Sequence, residues 1–336
     1  MTSAPHLRQR DDIVLSVQDL VVEFPAGRGR RVYAVSGVDF DLAKGETLGI
    51  VGESGCGKST TGRAIMQMPK PTSGRVEFES RDLVGLSAAD LRAARTRIQM
   101  IFQDPISSLN PRRKVWDSVA DPLRIWKRGS EAEIAALVDR VLESVGIDPM
   151  RARESRPHEF SGGQCQRISI ARALVLDPSV LICDEPVSAL DVSVQAQVLN
   201  LLEDLKAEFG LTMVFIAHDL AVVKNVSDRV AVMYLGRICE IADSDDLYAR
   251  PAHPYTRVLL DSIPVPDPTV APQPVDLAGE LPSPMSPPSG CRFNTRCPFA
   301  DDVCRRDVPE MRPIGDGHYV ACHHPLVTPV TIDGAV

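Results

Sequence analysis

The sequence has few of the features of a protein that spans a membrane, is secreted or binds nucleic acid. No run of about 18 apolar residues occurs in the 336-residue chain, so no transmembrane helix is predicted. The first residues, MTSAPHLRQRDDI, lack the apolar segment of a secretion signal, and we therefore expect a cytosolic protein. The net charge of −8, the 5% aromatic content and the absence of a long basic run argue against a broad nucleic-acid interface.

The order of apolar segments predicts an α/β protein of about two domains, on the usual ~100–200 residues per domain. Short β-like runs fill residues 13–52, and the stretch from about 105 to 160 has a helical pattern. Two buried-strand signals, SVLIC (179–183) and LTMVFIA (211–217), flank a helical segment, and strand–helix–strand order of this kind indicates a parallel sheet.

Apolar stripes at helical spacing mark two of the predicted helices. The first stripe consists of Ile134, Leu137, Val138, Val141 and Leu142. The second stripe consists of Val194, Val198, Leu201, Leu205 and Phe209, and Gly210 is the predicted end of that helix.

The segment GESGCGKST (52–60) has the spacing of a phosphate-binding loop, and it stands between an apolar strand and a helical stretch as that motif requires. Glycines let backbone N–H groups surround phosphate oxygens, Lys58 would reach the β- and γ-phosphates, and the Ser59 hydroxyl would bind Mg²⁺. The predicted nucleotide-binding residues here are Gly52, Ser54, Gly55, Cys56, Gly57, Lys58, Ser59 and Thr60. We also expect the helix dipole and Lys58 to favour a reactive Cys56 thiolate, with a passive thiol as the alternative.

Two further motifs suit nucleotide chemistry. VLICDEP (180–186) ends an apolar strand in two carboxylates, of which Asp184 suits Mg²⁺ and Glu185 suits polarisation of the attacking water. FSGGQCQR (160–167) opens a second helix with small residues, which makes either a plain helix cap or a second anion-binding terminus. Such a second terminus would close over the γ-phosphate bound to another subunit.

With these motifs the chain resembles the ATP-binding subunits of ABC transporters over about residues 13–245. The motifs that carry the resemblance are GESGCGKST, FQDP, FSGGQ, VLICDEP, SALD and FIAHD. The resemblance implies a P-loop NTPase core with an antiparallel β subdomain and a helical subdomain at about 105–165, all within an ATP-binding domain of residues 1–245. It also implies that the cofactors are ATP and Mg²⁺.

The resemblance further implies the role of each motif residue. Gln103 would bind Mg²⁺, sense the γ-phosphate and couple it to the membrane partner. His218 would hold the γ-phosphate and the water near Glu185. Asp191 would communicate across a dimer of two ATPase subunits. Four residues of the signature would contact the ATP of the other subunit: Ser161, Gly162, Gly163 and Gln164. An aromatic residue is expected under the adenine, with Phe24 preferred and Tyr33 or a core role for either as alternatives.

Residues 246–336 resemble the C-terminal extension of the dipeptide and oligopeptide permease ATPases. The implied function is ATP-driven peptide import, with a second ATPase subunit, two permease subunits and an extracytoplasmic binding protein as partners and the cytoplasmic face of the membrane as location. Import of nickel or another small solute, a soluble non-transport ATPase and an iron-responsive regulatory module are the alternatives. A proline-rich strap, predicted to be neither helix nor strand, begins this region, with prolines at 264, 266, 268, 272, 274, 282, 284, 287 and 288.

Four cysteines close the extension: Cys291, Cys297, Cys304 and Cys322. They are separated by five, six and seventeen residues, and a small lobe with so little apolar content often needs a metal. A cytosolic setting disfavours disulfides, while this spacing and the Cys297-Pro298 pair favour a [4Fe–4S] cluster over zinc. Zinc, with His318, His323 or His324 as possible ligands, and an apolar role for the thiols stay as alternatives. We expect a structural rather than an electron-transfer role, and nucleotide binding that is independent of the lobe.

Overall fold

The computed structural model describes residues 4–27, 29–263 and 280–327. The chain forms two compact units, of which the first comprises Met1–Gly85 and Ala217–Val336 and the second comprises Leu86–Ile216. The domain boundary predicted at residue 245 rests on the family resemblance and does not coincide with the boundaries of these units. It stays a prediction. Among the described helices, none is both long enough and apolar enough to cross a bilayer.

The first part of the first unit is rich in antiparallel strands. Its elements are β1 (Ile13–Pro25), β2 (Arg31–Ala43), β3 (Thr47–Val51), α1 (Lys58–Ile65), β4 (Ser73–Phe78) and β5 (Arg81–Asp82). Four of the strands form a sheet in the order β2-β1-β4-β5. Leu15 and Val17 on β1 are fully buried while the residue between them is not, which is the alternation of a half-buried strand. The predicted antiparallel β subdomain is thus confirmed.

The second unit contains most of the described helices. Its elements are α2 (Ala88–Ala94), β6 (Ile98–Ile101), α3 (Val115–Ile125), α4 (Glu131–Ser144), α5 (Pro149–Glu154), α6 (Gly162–Leu174), β7 (Val180–Asp184), α7 (Val192–Phe209) and β8 (Thr212–Ile216). A reciprocal capping box between Ser130 and Glu133 starts α4, and its predicted apolar stripe is buried except for half-buried Leu137.

Helix α7 ends at Gly210, as predicted, because this glycine adopts the left-handed conformation of a helix C-cap with φ 61°. Its predicted apolar face is partly wrong. Leu202 is buried with Val198 and Leu205, whereas Leu201 is half-buried. Spacing predicts the burial of Val198 and Leu205 but not that of Leu202, because neighbouring elements decide which side of the helix is covered.

The strands of the second unit are parallel, with β6 beside β7 and β7 beside β8. Every residue of β7 and β8 is buried, which explains why both read as uninterrupted apolar runs. Parallel pairing places the carboxyl ends of these strands at one edge, where ligand sites of α/β sheets occur. The acidic residues at 184 and 185 stand at that edge.

The first unit resumes after β8. Its later elements are α8 (Leu220–Val226), β9 (Arg229–Tyr234), β10 (Arg237–Asp243), α9 (Ser244–Ala249), α10 (Pro254–Asp261), α11 (Asp302–Arg306), β11 (Arg312–Gly315) and β12 (His318–Val320). β9 pairs in parallel with β3 and antiparallel with β10, and β12 lies between β10 and β11. The C-terminal hairpin therefore extends the sheet that holds β3, the strand before the phosphate loop.

We call residues 290–324, which contain the four cysteines, the cysteine lobe. It is joined to β10 by the buried Glu240 carboxylate, which accepts hydrogen bonds from the backbone N–H groups of Ala252 and His253 and contacts His318 Nε2 at 2.7 Å. The described part of the strap, residues 280–289, contains neither helix nor strand, as predicted. Its prolines at 264, 266, 268, 272 and 274 lie outside the described residues.

Candidate functional site

The phosphate loop follows β3 and leads into α1, and its glycines are required by space as well as by backbone angle. Gly52 and Gly57 have φ of 152° and 107°, which side chains rarely allow. A Cβ at position 57 would lie 2.2 Å from the Ala34 carbonyl oxygen, and one at position 52 would lie 2.1 Å from that of Met233. The loop is thus held against two strands of its own unit, which fixes its amides for anion binding.

Lys58 is the first residue of α1 and its side chain turns back over the loop. Its Nζ donates to the carbonyl oxygens of Gly52 at 2.7 Å and Glu53 at 3.0 Å, and the residue is buried. Ser59 and Thr60, in the first turn of the same helix, are half-buried. The ammonium group and the helix terminus place positive charge in one loop, as the motif predicts.

The expected reactivity of Cys56 is wrong. The residue is 1% exposed, and burial raises the pKa of its thiol although Lys58 acts to lower it. Desolvation prevails because the thiol is enclosed, with its Sγ 2.9 Å from where a Cβ on Gly52 would lie. Cys56 is therefore a small buried side chain of the loop, and its backbone carbonyl, which accepts from Gly236 N–H at 2.8 Å, is its main polar contact with the sheet.

At the end of β7, Glu185 has a left-handed backbone with φ 48°, an uncommon conformation for a residue with a side chain. Its Oε2 accepts a hydrogen bond of 3.1 Å from Gln103 Nε2, so two residues predicted from separate motifs are brought together. Asp184, the last residue of β7, is fully buried. Residues with a strained backbone conformation of this kind are common at functional sites.

Asp191 and His218 occupy exposed positions at element ends. Asp191 is the N-cap residue of α7, and its carbonyl accepts from Val194 and Gln195. His218 follows β8 and belongs to the first unit. Their predicted roles stay predictions.

The signature segment opens α6 with a reciprocal capping box. Gln164 N–H donates to Ser161 Oγ at 3.3 Å, and Ser161 N–H donates to Gln164 Oε1 at 3.0 Å. A Cβ at Gly163 would lie 2.5 Å from Val194 Cγ1, so this glycine lets α6 approach α7 closely. The helix N-terminus is thereby fixed in place, and the segment is suited to an anion.

Phe24 and Tyr33, the two aromatic candidates, lie on the β1–β2 hairpin in different settings. Phe24 is 37% exposed on β1. Tyr33 is half-buried, and its N–H donates to the Pro284 carbonyl of the strap at 2.9 Å. Phe24 therefore has the more accessible ring for stacking on a base.

All eight cysteines are free thiols. Within the lobe, burial and then Cys291, Cys297 and Cys304 each contribute to raising the pKa of Cys322. Burial raises the pKa of Cys291 to about 11 and that of Cys322 to about 12, with a smaller contribution from the other thiols of the group in each case. Burial also raises the pKa of Cys297 and that of Cys304, with a smaller contribution from Cys304 to Cys297 and from Asp301 to Cys304.

The three candidate histidine ligands differ in their surroundings. His318 contacts Glu240, His323 Nε2 lies 2.9 Å from the Asp307 carbonyl oxygen, and His324 Nε2 lies 2.9 Å from Asp301 Oδ2. His324 lies in a group with Asp301 and Cys304, whose donor atoms are all within 4.8 Å of one another. Among the described residues, this group of one cysteine, one histidine and one carboxylate is the possible metal site that the structure shows.

One contact at the phosphate loop was missed from the sequence. Arg296 Nη1 donates to both carboxylate oxygens of Glu53, at 3.0 and 2.9 Å, although the two residues are 243 positions apart. Tyr255 also reaches the loop, since its hydroxyl oxygen accepts from Glu53 N–H at 2.8 Å. No spacing rule links these residues. A weak signal was present, namely an acidic residue inside an anion-binding loop and an arginine among the cysteines.

Comparison with known proteins gives matches to two family profiles. Residues 35–188 match the profile described as ABC transporter, and residues 239–304 match the profile described as oligopeptide/dipeptide transporter, C-terminal region. Among curated proteins, a putative peptide import ATP-binding protein of Brucella ovis is 50% identical over 309 residues, covering 92% of this chain and 97% of that protein. The oligopeptide transport ATP-binding protein AppF of Bacillus subtilis is 50% identical over 321 residues, covering 93% and 97%.

Solved structures give a consistent result at lower identity. CbiO1 of Clostridium perfringens, part of the ABC transporter complex CbiONQ, has a TM-score of 0.63 at 30% identity, covering 71% of this chain and 92% of that one. The dimeric ATP-binding cassette MJ0796 bound to ADP and Pi has a TM-score of 0.63 at 29% identity, covering 68% and 98%.

Proposed function

Since this chain belongs to the ABC transporter family and has that family's P-loop ATPase fold, we propose that it hydrolyses ATP to power peptide import through a membrane permease. The proposed substrate class rests on the C-terminal region, because residues 239–304 match the profile of the oligopeptide/dipeptide transporter C-terminal region. Relatives that are 50% identical over nearly the whole chain bear names of peptide import.

In the proposed reaction each motif residue has one task. Lys58 and the loop amides bind the phosphates, and Ser59 and Asp184 serve Mg²⁺. Glu185 polarises the attacking water, and Gln103 orients Glu185 through their 3.1 Å hydrogen bond. His218 would hold the γ-phosphate.

Coupling to transport requires partners. We infer that two ATPase subunits meet head to tail, so that the signature of one, residues 161–164, contacts ATP bound by the other, with Asp191 signalling between them. ATP then binds more tightly to the closed dimer than to the open one, and this difference supplies the shift between two permease states. The chain would sit on the cytoplasmic face of the membrane, bound to two permease subunits that receive peptide from a binding protein.

The direct test is reconstitution with a peptide permease and its binding protein from the same organism. We expect peptide uptake into vesicles that depends on ATP and on the binding protein. Uptake of nickel or another small solute in place of peptides would reject the substrate class. ATPase activity without any association with a permease would favour a soluble ATPase instead.

We further propose that Cys291, Cys297, Cys304 and Cys322 hold a [4Fe–4S] cluster. The donor set supports this, since one small lobe holds four free thiols and three of them act on the pKa of the fourth, Cys322. When bound, the cluster would supply four iron–sulfur bonds that tie residues 291, 297, 304 and 322 together. Zinc remains the second candidate because His324, Asp301 and Cys304 converge.

Replacement of Cys297 by serine tests the cluster. Anaerobically purified wild-type protein should contain ~4 iron atoms per chain, and Cys297→Ser should lose most of them because a thiolate ligand is gone. Iron, acid-labile sulfide and zinc are measured on the same samples. Cys165→Ser is the matched control, since Cys165 is buried in α6, outside the lobe. Equal iron in both variants would contradict the assignment, and stoichiometric zinc without iron would replace the cluster by zinc.

A further inference from the structure

Glu53 is an acidic side chain inside a loop proposed to bind the phosphates of ATP. It is the second residue of the GESGCGKST segment, and its carboxylate is about three-quarters buried, with 24% of the side chain exposed. A negative charge beside phosphates opposes their binding, and partial burial strengthens the repulsion because water screens it less. The loop therefore needs a compensating positive charge.

Arg296 supplies that charge from the cysteine lobe. One of its nitrogens, Nη1, donates to both oxygens of the Glu53 carboxylate and lies 3.4 Å from the Tyr234 hydroxyl. The arginine side chain is 7% exposed, so this ion pair is well shielded from solvent. Arg296 and Glu53 hold each other in place, because loss of either side chain would leave the other charge buried without a partner.

The surrounding aromatic residues make the contact rigid. Phe293, three residues before Arg296, is 1% exposed and packs edge to face on Tyr234, with ring centroids 5.2 Å apart. It also packs on Tyr255, at 5.4 Å. The Tyr255 hydroxyl in turn holds Glu53 N–H, so the lobe reaches both the side chain and, through Tyr255, the backbone of the same loop residue.

We propose that Arg296 is a positioning residue of the phosphate loop, through which the state of the cysteine lobe sets the affinity for nucleotide. The proposal rests on the proposed ATP-binding function. Arg296 immediately precedes Cys297. A change that frees the Cys297 side chain from its contacts in the cysteine lobe therefore displaces the backbone that carries Arg296. The Glu53 carboxylate then loses its partner, and its charge opposes the phosphates. An intact cysteine lobe therefore favours tight binding of nucleotide, and a coupling free energy connects the two sites.

The test compares the Mg-ATP affinity of the purified full chain across five proteins: the wild type, two single variants and two double variants. We expect Arg296→Gln to raise the Kd by ~10-fold, within the usual range for coupled sites. Adding Glu53→Gln to that variant should restore the Kd to near the wild-type value, because the unpaired charge is gone. Glu53→Gln would also relieve a fold defect that the unpaired charge causes, so thermal unfolding without nucleotide is measured on the same proteins. Weaker binding by Arg296→Gln at an unchanged unfolding temperature supports the positioning role, and weaker binding that follows a lowered unfolding temperature contradicts it. Cys297→Ser should raise the Kd as Arg296→Gln does, and Glu53→Gln should suppress that effect too.

Kinetics on the assembled transporter give an independent readout. Arg296→Gln should raise the KM for ATP while kcat changes by less than ~2-fold, because a positioning residue of the binding loop does not touch the reacting atoms. Arg257→Gln is the matched control, since Arg257 pairs with Asp261 on the exposed side of α10.

The outcomes separate this inference from the proposed function. If the wild type does not bind Mg-ATP, the proposed function itself is wrong. If it binds but Arg296→Gln binds equally well, or is not rescued by Glu53→Gln, the positioning role is overturned. If Arg296→Gln weakens binding and Cys297→Ser does not, the link between the lobe and the loop is overturned.

Discussion

Glu185→Gln should lower the ATPase turnover of the assembled transporter by at least ~10²-fold, the usual contribution of a general base. Glutamine keeps the size of the side chain and can still accept the Gln103 hydrogen bond, so the 3.1 Å contact need not be lost. What disappears is the negative charge that polarises water. The Kd for Mg-ATP should stay within ~3-fold of wild type, and the ATP-bound dimer should persist longer.

Steady-state phosphate release and nucleotide binding, measured on the same preparations, check this result. Glu203→Gln is the matched control, because Glu203 is an exposed glutamate of α7 in the same unit. It should have wild-type turnover. Equal turnover in Glu185→Gln and wild type would remove Glu185 from the proposed reaction.

Gly57→Ala should abolish measurable nucleotide binding, with a rise in Kd of at least ~100-fold. The new Cβ would lie 2.2 Å from the backbone oxygen of Ala34, at a φ of 107° that alanine rarely adopts. Relief of that contact requires the loop to move by roughly 1 Å, which takes loop amides out of hydrogen-bond range of the phosphates. Loss of two hydrogen bonds to charged oxygens, at ~1.5 kcal/mol each, raises the Kd by ~100-fold. Equilibrium binding of Mg-ATP to the purified chain measures the effect.

Gly45→Ala separates the steric clash from backbone strain. Gly45 also has a positive φ, of 77°, but no atom lies within 4 Å of the position of its Cβ. This control should lose ~1 kcal/mol of stability through strain alone and bind nucleotide normally. If both variants bind equally, the close approach of the loop to β2 is not needed for the site.

Much of the fold could be predicted because the signals are local. The apolar run of β7, the glycine at position 210 and the glycine spacing of the phosphate loop each act within a few residues. The α7 stripe was partly wrong for the converse reason. Whether Leu201 or Leu202 is buried depends on the elements that cover the helix, and spacing alone does not contain that information.

The phosphate loop shows the same limit at a single side chain. Its lysine and helix terminus suggested a thiolate at Cys56, yet burial raises the pKa of that thiol. The choice between Phe24 and Tyr33 likewise needed the structure, because both occur on one hairpin and differ in exposure and in the strap contact of Tyr33. Desolvation and exposure are properties of the packed chain, so no local pattern reveals them.

Local patterns were enough to predict a phosphate loop, an acidic strand end, a signature helix and four spaced cysteines, because the residues of each motif are close in the chain. The proximity of the cysteine lobe to the phosphate loop depends instead on contacts between residues that are distant in the chain. From the sequence, nucleotide binding was expected to be independent of the cysteine lobe, whereas packing brings Arg296 to Glu53 across 243 residues. The physical reason is that β10 and β12 pair in the sheet that carries β3, which places the lobe beside the loop that β3 leads into.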